Sequence, residues 1–242
     1  MKISSLVPIL FLTAAITPSA SMASTTAFIS LDAVALFSDP GHTQEVNLLN
    51  TLGNTYISKK QWQSDGSVML GLGLRAYQRD SLNVNTSLRY LPGINMPSHG
   101  EVLQLKSPRF RNLAYTYDIA SNLLLVDNIV TWTKHHLQPG LIIGVGRAAN
   151  TTRNYHERSL NNHAAPALDH FSGNTMVQFA FEVGAVLDYS FNDVIIECAY
   201  RYIDAGRGQL GLSPLQNTSD HLSTGSLRYH AISLGVRFEH AL

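Results

Sequence analysis

The sequence contains little charge and a single cysteine. Charged residues make up 14% of the 242 residues, and 17 Lys and Arg balance 17 Asp and Glu, so the formal net charge at pH 7 is zero. This balance gives no support for binding to nucleic acid or to another polyanion. Cys198 alone cannot form an internal disulfide or supply a cysteine zinc motif. We therefore expect no nucleic-acid partner, no metal site and no cofactor.

Long apolar runs are also missing from most of the chain, which excludes a transmembrane helix there. The N-terminus differs, because Lys2 precedes an apolar stretch at 6–16, and small residues precede Ser24. These are the three parts of a secretory signal, and the apolar stretch is too short to span a bilayer as a helix. We predict a cleaved signal peptide at 1–23 and one mature domain at 24–242.

Two segments match the G-x-G-x-x-A fingerprint of dinucleotide-binding loops, Gly71–Ala76 and Gly144–Ala149. That function requires a helix directly after the glycines, whose N-terminus binds the pyrophosphate. The pattern after Ala76 predicts another strand, and the residues after Ala149 predict a polar loop. We interpret these glycines as small residues on one face of β-strands.

Apolar and polar residues alternate with a period of two through much of the chain, which predicts β-strands. The pattern is clearest in five segments: 67–77, 82–90, 175–189, 194–202 and 232–238. No charged residue lies on the apolar face of these five strands. Weaker patterns at 26–37, 113–131 and 139–150 complete a set of eight. In 113–131 the apolar phase changes between Ile119 and Leu124, which we interpret as a β-bulge.

Short and long connections alternate between these strands. The short ones lie near 79–81, 133–139 and 190–193, and the long ones near 38–66, 91–111, 151–173 and 204–225. Periplasmic turns and extracellular loops of transmembrane β-barrels alternate in this way. We therefore predict an all-β fold, an eight-stranded antiparallel up-and-down transmembrane β-barrel. A soluble lipocalin-like barrel, with its apolar face inward, is the alternative.

Aromatic residues on the apolar face favour the membrane. Tyr90 and Tyr202 end predicted strands at the outer rim, whereas Tyr189 and Phe238 end strands at the periplasmic rim. Aromatic girdles occur at both interfaces of membrane barrels. We expect these four residues to be the lipid-interface aromatics.

The opposite face carries seven charged residues: Arg75, Arg89, Glu182, Asp188, Glu197, Arg201 and Arg237. Side chains fill the interior of an eight-stranded barrel, and charges there must be paired. We predict an internal ion-pair network that plugs the lumen. One alternative is a narrow pore for small solutes through the same residues. A second is a barrel enzyme that modifies membrane lipids, but no serine or acid is placed beside its one candidate, His230. We therefore expect no catalytic residue.

From about residue 26 to its end, the chain resembles the small OmpA-like outer-membrane β-barrel proteins of Gram-negative bacteria. The most similar stretches are PRFRNLAYTYDI (108–119), PGLIIGVGRAANTTRN (139–154), AYRYIDAGRGQLG (199–211) and the C-terminal SLRYHAISLGVRFEHAL. The resemblance implies the cell outer membrane as location and a structural or surface-interaction role. It also implies a single barrel domain, without the peptidoglycan-binding domain of longer members.

Two positions depart from this pattern. Members commonly have an aromatic residue where this chain has Ala205, and the usual terminal aromatic is replaced by Leu242. Leu242 is in phase with Phe238, and we expect it to be the final anchor for the barrel-assembly machinery. The other expected partners are outer-membrane lipid and an unidentified extracellular partner of the loops. We expect a monomer.

Overall fold

The computed structural model describes residues 26–47, 53–160, 170–191, 194–213, 218 and 220–242. The predicted signal peptide at 1–23 lies outside the described residues. The described part contains twelve β-strands and two 3₁₀ turns. No helix in that part is long and apolar enough to cross a membrane.

The strands follow one another along the chain with few interruptions. They are β1 (Thr26–Ser38), β2 (Gln44–Asn47), β3 (Gly53–Ser58), β4 (Gln63–Arg79), β5 (Leu82–Leu103), β6 (Arg111–Trp132), β7 (Leu137–Ser159), β8 (Phe171–Ser172), β9 (Asn174–Phe191), β10 (Val194–Asp204), β11 (Gly211–Leu212) and β12 (Arg228–Ala241). The 3₁₀ turns, Gln104–Lys106 and Pro108–Phe110, connect β5 to β6.

Eight long strands close into a barrel. Their order around the ring is β5-β4-β1-β12-β10-β9-β7-β6, and β6 pairs back with β5 to close it. In the closing pair Leu82 lies opposite Trp132, and β1 pairs antiparallel with β12 from Thr26 opposite Ala241. Closure pairs the backbone groups that a sheet edge would leave open. The predicted eight-stranded antiparallel barrel is confirmed.

One half of the barrel contains the short turns, and the outer wall of this half is apolar. Leu72 is 63% exposed and Leu234 is 62% exposed, which is expected of side chains that face lipid. Exposed aromatic residues flank this apolar belt at both levels: Phe37, Tyr90, Phe181 and Tyr200 toward the long loops, and Tyr77, Trp132, Tyr189 and Phe238 toward the short turns. A soluble protein would not expose such a large apolar surface to water, so the structure does not fit the lipocalin-like alternative.

Three strands extend far beyond this belt. β5 and β6 have 22 residues each and β7 has 23, about twice the 9–11 residues that cross a bilayer. The prediction of long irregular loops at 91–111 and 151–173 is therefore wrong, because β5 continues to Leu103 and β7 continues to Ser159. Tyr90 consequently lies within β5, at the level of the interface, and not at a strand end.

The Pro92–Gly93 pair, which has the composition of a loop, forms a bulge inside β5. Leu91 pairs with Leu123 and Ile94 with Ser121, so β5 contains one extra residue opposite Asn122. Gly93 has φ +70°, a conformation that glycine adopts without steric cost. The inward face of β5 thereby changes from odd-numbered to even-numbered residues.

The bulge predicted within 113–131 is wrong, because β6 alternates in one phase throughout. Ile119 and Leu123 are inward and buried, whereas Leu124 is outward. The apolar phase changes because the surrounding medium changes: lipid contacts the lower part of β6, and water contacts the upper part. The extracellular half accordingly has an apolar interior and a polar exterior.

Loop segments complete the extracellular interior. The β2–β3 hairpin pairs with upper β5, where Thr55 lies opposite Leu103. Tyr56 from this hairpin packs edge-on against Tyr115, with ring centroids 5.4 Å apart, and Tyr155 packs against Phe171 at 5.0 Å. These contacts continue into one buried apolar cluster that includes Leu36, Leu91, Met96, Ile119 and Leu123. The upper barrel is therefore packed in the manner of a soluble protein core.

Alkaline titration should separate the tyrosines of this core from the others. Burial raises the pKa of Tyr56, Tyr115 and Tyr155 above the ordinary tyrosine value, and Glu157 raises those of Tyr56 and Tyr155 further. Because the folded pKa exceeds the unfolded one, their contribution to stability is complete below about pH 10 and declines as the pH rises above it.

In a phenolate-absorbance titration of the folded protein, we expect clearly fewer than the ten tyrosines to ionise with a pKa near 10. The remainder should ionise only as the extracellular half unfolds, and Tyr56→Phe should reduce that late fraction by one residue. If all ten tyrosines ionised with a pKa near 10 while the barrel stayed folded, the result would contradict this packing.

Candidate functional site in the barrel lumen

The membrane-spanning half of the lumen is filled by arginines and carboxylates from facing walls. Arg89 lies on β5, Arg201 on β10 and Arg237 on β12, and all three side chains are 0–1% exposed. Their positions follow from period two: the lipid-facing neighbours of each strand are apolar, so the intervening residues point inward. Charges at such positions require partners, and each arginine has several.

Arg89 contacts carboxylates from three other strands. Its Nη1 lies 3.0 Å from Oδ2 of Asp32 on β1, and its Nε lies 3.2 Å from Oδ2 of Asp127 on β6. Its Nη2 donates to a carboxylate oxygen of Glu197 on β10 at 3.1 Å. The guanidinium therefore connects walls that are not neighbours in the ring.

Arg201 shares two of these acids. Its Nη1 donates to Oε1 of Glu182 at 2.6 Å and to Oδ2 of Asp127 at 3.2 Å, and its Nη2 donates to Oε1 of Glu197 at 3.1 Å. Asp127 thus bridges Arg89 and Arg201. Such shared, charge-assisted contacts fix both guanidinium groups in place.

Arg237 connects the network to the periplasmic end. Its Nη2 donates to Oδ2 of Asp188 at 2.8 Å, and its Nη1 donates to Oε2 of Glu197 at 3.4 Å. The guanidinium also lies over the Phe28 ring, 5.3 Å from the ring centroid. Glu197 therefore contacts all three buried arginines.

Arg75 joins the same network at the periplasmic rim. It forms an ion pair with Glu239, which also lies 3.4 Å from Nε of Arg237. All seven charged residues predicted from the sequence are thus connected through shared partners. Asp32, Asp127 and Glu239 belong to the network as well and were not predicted.

The sequence contains a signal for two of these residues, Asp32 and Asp127. Asp32 follows Ile29 and Leu31, which face lipid, so alternation places it inward. Asp127 follows Val126 in the same way. The patterns of β1 and β6 were too weak for a phase to be assigned, and Glu239 lies beyond the last predicted strand position.

Glycines provide the space that the carboxylates occupy. A Cβ at Gly235 would overlap Oδ1 of Asp32, and a Cβ at Gly144 would overlap Oδ1 of Asp127 and lie 2.8 Å from Cγ of Glu182. Gly144 belongs to the second G-x-G-x-x-A segment, which lies inside β7, and β4 contains the first. These segments are followed by further strand residues, so their glycines adjoin the lumen network and do not form a phosphate-binding loop.

Acids outnumber arginines in the fully buried part of the network. Arg89, Arg201 and Arg237 face Asp32, Asp127, Glu182, Asp188 and Glu197. Among the described residues, one carboxylate oxygen of each of Asp32, Asp127, Glu182 and Asp188 lacks a hydrogen-bond partner. We therefore expect the stability of the network to depend more on each arginine than on each acid.

The predicted interface aromatics lie on the outer wall. Tyr90, Tyr189 and Phe238 are exposed to the surroundings of the barrel. Tyr202 is half-buried because its ring packs against His230, with centroids 5.5 Å apart. The single cysteine, Cys198, is exposed on the apolar belt between the two girdles.

A closed barrel with an apolar outer belt and a filled, charged interior defines a small outer-membrane β-barrel protein. Its fold is similar to that of the outer membrane protein OprG from Pseudomonas aeruginosa. The two share 15% identity over 90% of this chain and 98% of that chain, with a TM-score of 0.51. The resemblance to small OmpA-like barrels of the Gram-negative outer membrane is thereby confirmed for the fold.

Two further solved structures are similar at lower TM-scores. Neisserial surface protein A is 12% identical over 88% of this chain and 96% of that chain, with a TM-score of 0.45. The outer membrane protease OmpT from Escherichia coli is 9% identical over 90% and 97%, with a TM-score of 0.48. No family model and no curated protein matches the chain. At these identities the similarity shows the fold alone.

Proposed function

We propose that this outer-membrane protein has a structural or surface-interaction role, with a plugged lumen that supports the extracellular loops. The observation that carries the proposal is the burial of Arg89, Arg201 and Arg237, which are tied across the lumen to carboxylates on other walls. A pore for small solutes requires its lining to be in contact with water. Side chains that are 0–1% exposed do not meet that requirement.

A second closed layer supports the same role. The apolar cluster above the network includes Leu36, Ile94 and Leu123, whose exposed fraction is 0%. The cluster is continuous with residues of the loops. A solute would have to pass both an ion-pair layer and a packed apolar layer. Displacing either one costs far more than displacing water from an open channel.

Solute flux tests this proposal. We expect proteoliposomes with the folded barrel to swell in isotonic arabinose no faster than protein-free liposomes, whereas a general porin at equal density should swell them quickly. Swelling well above the protein-free rate, at a level that scales with the amount of folded barrel, would favour the narrow-pore alternative.

We further propose that the loop tips contact an extracellular partner. Leu105 and Phe110 at the β5–β6 tip and Leu160 after β7 are large, exposed apolar residues, and Leu160 N donates to Asn112 O at 2.7 Å. They lie above the water-exposed part of the barrel, where lipid does not cover them. Exposed apolar residues at such positions are typical of contact surfaces.

We also propose that the protein is not an enzyme. The Ser226 hydroxyl, which lies near His230 in the same rim pocket, donates to the Asp204 carboxylate at 3.0 Å. His230 Nδ1 lies 2.7 Å from the Tyr200 hydroxyl. These contacts support a structural use of both side chains. Mass spectrometry of the membrane lipids should show the same species with and without the protein.

The outer wall of the barrel and its C-terminal strand support proposals about assembly and membrane partners. We propose that the barrel-assembly machinery binds the C-terminal strand, where Phe238 and the 75% exposed Leu242 point outward at the periplasmic end. Since the ring leaves no barrel-strand edge open, we propose a monomer surrounded by outer-membrane lipid.

A further inference from the structure

A pocket of about 530 Å³ opens on the outer wall, where the extracellular loops meet the lipid-facing strands. The segment before β4 contributes Lys60 and Trp62, and the β10–β12 connection contributes Arg207. Tyr202 on β10 and Arg228 and His230 on β12 form its wall. The ion-pair network of the lumen lies inside the barrel, so this pocket is a separate site.

The pocket carries an excess of positive charge. Lys60, Arg207 and Arg228 line it together with a single acid, Asp39. Arg228 Nε lies 3.6 Å from Oδ2 of Asp204, which is a loose contact of an exposed side chain. Within the described part of the chain, no carboxylate lies within 4.0 Å of the charged nitrogens of Lys60 or Arg207. Two cations are thus available to an anionic ligand.

Aromatic residues place the pocket at the height of lipid headgroups. The Trp62 ring is 64% exposed and lies 5.5 Å from the His230 ring, and Tyr202 lies 5.5 Å from the same ring. His230 pairs with Tyr202 on one side and with Phe37 on the other, at the upper girdle. Trp and Tyr are enriched at this level, where one side of the ring is apolar and the other is wet.

An apolar groove lies directly below the pocket on the same strands. Its volume is about 620 Å³, and it is lined by small side chains such as Ala33, Ala35 and Cys198 between Ile232 and Leu234. Ile232 is the next outward residue after His230 on β12. A cationic, aromatic pocket above an apolar groove matches the shape and polarity of a lipid whose phosphate-bearing headgroup has a net negative charge.

We infer that the rim pocket binds the net-anionic, phosphate-bearing headgroup of an outer-leaflet lipid, whose acyl chain occupies the groove between Ile232 and Leu234. Lys60 and Arg207 supply the phosphate contacts, with Arg228 at the edge of the pocket. Trp62 and Tyr202 cover the glycerol or sugar portion. The site depends on the membrane location of the barrel and is independent of whether the lumen is plugged.

Trp62 provides a direct signal for binding. The chain has two tryptophans, so Trp132→Phe leaves Trp62 as the single emitter. The Trp132→Phe protein is reconstituted into phosphatidylcholine nanodiscs with increasing amounts of diphosphoryl lipid A. The fluorescence emission of Trp62 is then measured. The test variant combines Lys60→Gln, Arg207→Gln and Arg228→Gln. The matched control combines Arg79→Gln, Arg109→Gln and Arg153→Gln, which removes the same charge away from the pocket.

We expect a saturable change in Trp62 emission with lipid A and no change in phosphatidylcholine alone. The pocket variant should weaken the apparent affinity at least about tenfold, since each cation near a lipid phosphate contributes attraction. The control variant should bind as the parent does. Equal affinity of the pocket variant and the control would overturn the site. An equal emission change with inorganic phosphate at the same concentration would overturn its assignment to a lipid.

Discussion

Replacing Arg89 by methionine should lower the free energy of unfolding of the barrel by about 3–5 kcal/mol, the cost of breaking a buried ion pair on one side. The Arg89 guanidinium contacts Asp32, Asp127 and Glu197, and among the described residues no other cation lies within 4.0 Å of the Asp32 carboxylate. Methionine fills similar volume, so loss of charge dominates over loss of packing. Urea unfolding in detergent micelles, followed by heat-modifiable gel mobility, measures the difference.

Two comparisons separate electrostatics from general damage. Arg153→Met removes an exposed arginine from the extracellular wall and should change stability by less than about 0.5 kcal/mol. Adding Asp32→Asn to Arg89→Met removes the carboxylate that lost its partner, and it should recover about 1–2 kcal/mol. If Arg89→Met costs no more than Arg153→Met, the network does not stabilise the barrel.

Replacing Gly235 by valine should prevent folding of most of the protein. The new Cβ would overlap Oδ1 of Asp32 and lie 2.7 Å from the Leu31 carbonyl oxygen, so a buried carboxylate or the β1 backbone must move. We expect a loss of at least about 3 kcal/mol, at the upper end of overpacking costs because a buried charge is displaced. The fraction of heat-modifiable barrel after refolding into detergent reports this loss.

Gly66→Val is the matched control for that substitution. Gly66 is also a strand glycine of the barrel, and a Cβ there would meet nothing within 4 Å. Valine suits a strand surface, so this variant should fold as the parent does. Equal yields of folded Gly235→Val and Gly66→Val would show that the lumen is not packed around Asp32 as the structure indicates.

The bilayer made the strands of the membrane half predictable. Where lipid contacts the outer wall, every second residue must be apolar, and Leu70, Leu72 and Leu74 show this constraint directly. The same alternation assigned Arg89 and Arg201 to the interior without any knowledge of their partners. The constraint is strong because a polar group that faces hydrocarbon is costly.

The extracellular half was less predictable because its medium is water on the outside and protein on the inside. Strand residues there reverse their polarity, so Ile119 is inward whereas Leu124, which is lower on the same strand, is outward. A phase change of this kind resembles a bulge in the sequence. The real bulge at Pro92–Gly93 has the composition of a loop and ended the predicted strand too early.

The pairing within the lumen could not be predicted from the sequence. Arg89 meets Asp32, 57 residues away, because β1 and β5 flank β4 and the barrel closes with a particular stagger. Alternation determines which face a residue is on, but the height at which it meets another strand depends on register and shear. For this reason Asp127 and Arg201, 74 residues apart, meet only in the folded barrel.

Single-channel recording in planar bilayers tests the plugged lumen most directly. After insertion of the folded protein, verified by its heat-modifiable mobility, we expect no reproducible conductance steps in concentrated KCl at any applied voltage. The side chains of Arg89, Arg201 and Arg237 are 0–1% exposed, and the proposed plug would therefore leave ions no path through the network. Stable steps of uniform size that appear with the folded protein and are absent without it would contradict the account.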